Sequence, residues 1–137
     1  MNTRTVIASL VAVTAALTVG LATTAPAQAA GAITFSHIQY NSPGSDTGSN
    51  SSLNAEYVRL HNNSSKNIAM KGWTVRDAQG HVYTFGTYTL HAGKSVTLHT
   101  GKGSNTSANR YWGSKAYIWN NTGDTATLKN APGTTNC

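Results

Sequence analysis

Three tryptophans occur in the 137 residues, and one of them lies in Gly72-Trp73-Thr74-Val75-Arg76-Asp77, between a basic turn and an Ala-Gln-Gly turn. Successive side chains of an extended chain point to opposite faces, so Trp73 and Val75 share one face and Thr74 and Arg76 the other. The stretch reads as the central strand of a β-sandwich, with the indole in the core. Burying ~200 Å² of indole at ~25 cal/mol/Å² gives an upper bound of about 5 kcal/mol. That is comparable with the whole ~5–15 kcal/mol stability of a small domain, so the rest of the chain is expected to wrap this strand.

Residues 1–29 read as a secretory signal peptide. One positive charge at Arg4 precedes an apolar run from Val6 to Leu21, and Ala27-Gln28-Ala29 fits the small-x-small cleavage rule, which places the cut after Ala29. Ser9, Thr14, Thr18 and Gly20 interrupt the run, leaving it short of the ~20 apolar residues of a spanning helix. No membrane span is expected after cleavage, and the product, residues 30–137, is expected to be secreted and extracellular. It has the length of one domain. Removing Arg4 leaves nine Lys and Arg against Asp46, Glu56, Asp77 and Asp124, a net charge of +5. Few charges, abundant Thr, Ser, Asn and Gly, and aromatic residues spread along the chain describe an extracellular β-protein. Cys137 is the only cysteine, which removes any internal disulfide framework.

The remaining strands follow by alternation. Ile33 to Tyr40 alternates with a slip between Phe35 and Ile38, which predicts a bulge near Ser36-His37. Asn41 to Asn54 reads as a long surface loop. Val58 and Leu60 mark the inward face of the next strand, Ile68 to Met70 a short edge, and Ala78-Gln79-Gly80 a hairpin turn to a strand containing Tyr83 and Phe85. Val96 and Leu98 point inward against Ser95, Thr97 and His99. Gly101 to Lys115 reads as an ordered loop closing one end of the sandwich, and Thr125 to Lys129 as a half-buried strand. The residues after Gly133 allow only the stub of a last strand. About seven short strands with frequent turn signals predict an all-β, immunoglobulin-like β-sandwich.

The order of motifs is also familiar. Glu56, Tyr57, Val58, Leu60 and Asn62 are followed by Gly72, Trp73, Thr74, Arg76 and Asp77, then Gly80, Tyr83 and Phe85, and finally Trp119, Asn120, Asn121, Gly123, Asp124, Ala126 and Leu128. Over residues 31 to 133 this series resembles the lamin tail domain family. The resemblance implies an immunoglobulin-like sandwich, an interaction module and no catalytic residue set. Bacterial relatives that the chain is similar to are exported, and stand alone or are attached to nucleases and other hydrolases. The motif residues themselves read as structural: Trp73, Val58, Leu60, Phe85 and Trp119 in the core, Gly123 and Asp124 in a turn.

Catalysis finds little support in the residues. A glycosidase needs two carboxylates ~5–9.5 Å apart. Glu56 and Asp77 are the only candidates, and each borders a strand, where a cap or a turn hydrogen bond is the plainer use. No Gly-x-Ser-x-Gly elbow is present. His37, His61, His81, His91 and His99 fall at none of the short metal-binding spacings, and the loop from Asp46 to Asn50 carries one formal charge, too few to hold calcium tightly. No metal and no cofactor are expected.

Lys102, Arg110, Tyr111, Trp112, Lys115 and Tyr117 form the most suggestive cluster. Cations neutralise phosphates or carboxylates while rings stack on bases or sugars, so this loop is the candidate ligand-binding surface. Plugging the end of the sandwich is the plainer use of Tyr111 and Trp112, as for large aromatics in ordered loops, and both readings hold if one ring is buried and the other exposed. The expected function is a secreted, non-catalytic binding module whose partner is a protein or an anionic polymer, such as cell-envelope polymer or extracellular DNA. The alternatives are an accessory domain of an extracellular hydrolase or nuclease and a structural protein that self-associates through a sheet edge. Oligomeric state is not encoded in these features.

Overall fold

A computed structural model describes residues 31–132. The expected leader over 1–29, the C-terminal strand stub and Cys137 lie outside the described residues. Nine strands occur among those described: β1 (Ile33–Gln39), β2 (Tyr57–Asn62), β3 (Ile68–Ala69), β4 (Thr74–Arg76), β5 (Val82–Thr84), β6 (Thr89–Leu90), β7 (Ser95–His99), β8 (Asn109–Tyr111) and β9 (Thr127–Lys129). One sheet has the order β1-β2-β7-β8, and the opposing strands form a three-stranded piece, β5-β4-β9, and a pair, β3-β6. Ile33, Val58, Leu60, Val96 and Leu98 meet Met70, Val75, Phe85, Tyr88, Leu90, Ile118, Trp119 and Leu128 in one buried cluster. The chain is all-β, with the sandwich architecture that the alternation predicts.

β4 is the centre of its sheet, between β5 and β9. Its tryptophan is a correction to the expectation. Val75 is fully buried, but Trp73 lies one residue before the strand and is only half-buried against the core. Trp119 is the enclosed indole, 2% exposed.

In the first sheet, period-two alternation sorts the side chains. Val58, Leu60 and Asn62 of β2 are buried, whereas Tyr57, Arg59 and His61 reach the outer face. Val96 and Leu98 of β7 are likewise buried between Ser95, Thr97 and His99. The register of β1 shifts between Phe35 and His37. That bulge pairs Ile38 with buried Val58 and sets His37 beside Arg59, so both sides of the slip keep their apolar residues against the core.

Two features of the loops differ from the expectation. Asn50–Asn54 is a one-turn helix, α1, whose N-cap Ser49 accepts a hydrogen bond from the Ser52 amide at 3.1 Å, and whose Leu53 is buried. The segment after β7 contains β8, which pairs with β7 in parallel. Parallel neighbours need a crossover. Here residues 100–108 suffice because only Thr97, Leu98 and His99 are paired, with Asn109, Arg110 and Tyr111.

Candidate binding surface

The short parallel strand divides the six residues of the predicted cluster. Arg110 is paired with inward-facing Leu98, and its guanidinium lies over the Tyr88 ring, 4.2 Å from the centroid. Its buried Nε makes no hydrogen bond within the described protein. Burial raises the hydroxyl pKa values of Tyr83 and Tyr88, an effect that the Arg110 charge partly offsets. Trp112 also turns to the core. Its ring meets Trp119 edge-on at 6.0 Å and Tyr83 at 5.9 Å, so it joins the two sheets along one side.

Tyr117 is spent on the loop that precedes α1. Its hydroxyl lies 2.6 Å from the Ser52 hydroxyl and accepts from the Gly48 amide at 3.1 Å. Lys102 and Lys115 are exposed and line a cleft of about 160 Å³ with Gly48, Asn50, Leu53 and Ser114. This is smaller than the ~300–1,000 Å³ of an ordinary small-molecule site. The backbone of Lys102 is held by α1: its carbonyl accepts from Asn50 and Asn54 Nδ2 at 3.0 and 2.9 Å, and its amide donates to Asn50 Oδ1 at 2.7 Å.

Tyr111 alone of the six reaches the outer face of the first sheet. There it stacks on His99, with centroids 4.9 Å apart and planes 17° apart. Its other neighbour is Gly103, where a Cβ would lie 2.4–2.7 Å from the tyrosine ring. The row continues across the sheet, from His99 to Tyr57 at 6.0 Å and from Tyr57 to His37 at 5.5 Å. Arg59 lies over the Tyr57 ring at 5.4 Å while its Nε donates to Thr97 Oγ1. His99 is fixed through both ring nitrogens, 2.9 Å from the Asn54 carbonyl and 2.9 Å from Asn109 Oδ1. His61 faces Ser95 Oγ at 2.8 Å. None of the four strands contains an Asp or Glu.

Sequence reading of the cluster missed His37, Tyr57 and His99. The signal was present as parity: each lies on the face opposite the apolar residues of its own strand. What joins them in a row is the strand order.

The two candidate acids serve the fold. Glu56 is fully buried, and it accepts from the Thr100 hydroxyl at 2.6 Å and from the Ile118 and Trp119 amides at 2.9 and 3.1 Å. Burial pushes its carboxyl above the ordinary carboxylate value, and these three donors pull it partly back. Asp77 is 3% exposed; Oδ1 accepts from the His81 amide at 2.7 Å and Oδ2 lies 2.6 Å from His81 Nδ1, which braces the β4–β5 turn. Glu56 precedes β2 in one sheet and Asp77 follows β4 in the other. Asp124 ties three backbone amides, those of Ala78, Asn120 and Thr125, and Gly123 beside it has φ +121°. Among the described residues, no group of three or more His, Cys, Asp or Glu is placed to hold a metal ion.

Fold and site together define a β-sandwich module whose buried acids are committed to structure and whose first sheet has a polar, ring-bearing outer face. The chain belongs to the lamin tail domain family, whose profile matches residues 26–136. No curated protein matches the chain.

Proposed function

We propose that the chain is an exported bacterial binding module whose partner is an anionic polymer, cell-envelope polymer or extracellular DNA. The imbalance of accessible charge carries this reading. Lys66, Lys71, Arg76, Lys94, Lys102 and Lys115 are exposed, whereas Glu56 and Asp77 are buried and Asp124 is bound to backbone amides. Asp46 is the one exposed acid among the described residues, and it accepts a hydrogen bond from Asn121 Nδ2 at 2.8 Å. No Lys or Arg among the described residues pairs with a described carboxylate. Unpaired surface cations bind a polyanion by releasing its counterions, so the affinity falls steeply with salt.

Export rests on residues 1–29 with a cut after Ala29. The mature chain is tested against short duplex DNA and purified anionic wall polymer at ~50 and ~200 mM salt, where a partner that engages several cations loses at least about tenfold in affinity. Charge reversal at Lys102 and Lys115 is expected to weaken that binding. Absence of salt-dependent binding to either polymer overturns the proposal and directs the search to protein partners.

A further inference from the structure

We infer that the outer face of the β1-β2-β7-β8 sheet binds single-stranded nucleic acid, contacting bases with its rings and phosphates with its cations. The inference rests on the polyanion reading above and narrows it to one surface and one polymer. Four rings, His37, Tyr57, His99 and Tyr111, follow one another across four adjacent strands at 5.5, 6.0 and 4.9 Å. His37 is exposed, and Tyr57, His99 and Tyr111 are half-buried. Arg59 and His61 flank the row, and the strands that carry it contain no carboxylate to repel a phosphate.

Shape selects among polyanions. Four strands ~4.8 Å apart make a face wider than the ~12 Å major groove, so the surface cannot enter a duplex. A single strand laid across the rings has no such obstacle. Four-stranded sheets with aromatic residues on the solvent face can hold two or three unstacked bases. Chemistry selects further: every base has a π-face for a ring to contact, whereas a polyol phosphate offers charge without rings. The row is also held in place, with His99 anchored at both nitrogens and Tyr111 seated on the Cα of Gly103, so little order has to be gained on binding.

The test uses fluorescence anisotropy of the mature chain at ~50 mM salt with four probes: oligothymidylate of ~12 nucleotides, an abasic strand of equal phosphate count, the corresponding duplex and poly(glycerol phosphate). Oligothymidylate is expected to bind about tenfold or more tightly than the abasic strand, since each stacked base contributes substantially. Tyr57→Ser is expected to abolish that preference while circular dichroism stays native. Arg59→Gln weakens every strand and lowers the salt slope by about one. Lys71→Gln, on the other sheet's side, is expected to leave both the affinity and the preference essentially unchanged. Equal binding of oligothymidylate and the abasic strand overturns the inference and leaves the polyanion reading standing. So does equal or tighter binding of the duplex or the polyol phosphate. Failure of all four probes to bind overturns both.

Discussion

At Glu56 a carboxylate is enclosed in the sandwich and its oxygens meet three donors. Glu56→Ala leaves the Ile118 and Trp119 amides and the Thr100 hydroxyl without a buried acceptor, at about 1–3 kcal/mol each. A loss on the order of 4 kcal/mol is expected in urea denaturation. The pH dependence runs the other way from that of a salt-bridged acid. Because the folded-state pKa is raised, the group's favourable contribution is complete below the unfolded value of about 4.3 and is lost as pH rises through the folded value. Glu56→Gln keeps an acceptor and removes the ionisation, so its stability relative to wild type should improve as pH rises above the ordinary carboxylate range. A difference that stays flat over that rise would refute the assignment. Of the tryptophans, Trp119→Ala is expected to cost about 3–5 kcal/mol. Trp73→Ala, from a half-buried site, should cost about half of that.

Elements are joined by side chains at their ends. Asn62 closes β2: its Nδ2 donates to the carbonyls of Lys66 and Leu90 at 2.8 and 2.9 Å, and its Oδ1 accepts from the Ser64 amide and hydroxyl. The motif asparagine is therefore a buried turn brace, and Asn62→Leu should cost about 2–4 kcal/mol by leaving those groups unpaired. At the other edge, β8 depends on a glycine. In Gly103→Ala the new methyl overlaps the Tyr111 ring, which must leave His99. The stacking between Tyr111 and His99 should then disappear from the ring-current shifts of the imidazole protons. The melting temperature should move little, because Tyr111 is half-buried and can swing into solvent. Unchanged imidazole shifts would show that the ring holds its place. Alternation made β2 and β7 legible from Val58, Leu60, Val96 and Leu98. It could not reveal β8, because Asn109-Arg110-Tyr111 is too short to show a period and its partner runs parallel.

On the scale of the molecule, charge is the property that reaches a partner. Nearly all the acids are withdrawn into hydrogen bonds while six basic side chains remain exposed. Expression of the whole chain in an exporting host checks the proposed address: mass spectrometry of the medium is expected to find a product beginning at Ala30. Retention of residues 1–29 on a cell-associated protein would contradict it. The ring row belongs to this scale as well, since no single strand contains more than one of His37, Tyr57, His99 and Tyr111.

Period-two alternation is a local property, and the chain alone therefore determined which side chains of β2 and β7 face the core, the bulge in β1 and the hairpin at Ala78-Gln79-Gly80. The ordered motifs, from Glu56 to Leu128, determined the family. Tertiary structure decided what alternation cannot carry, namely which strands are neighbours and where a loop residue turns. Packing against Tyr88 and Trp119 drew Arg110 and Trp112 inward, leaving Tyr111 outside. Pairing of β2 with β1 and β7, and of β7 with β8, then assembled four separated rings into one row, because cross-strand contacts depend on strand order rather than on distance along the chain.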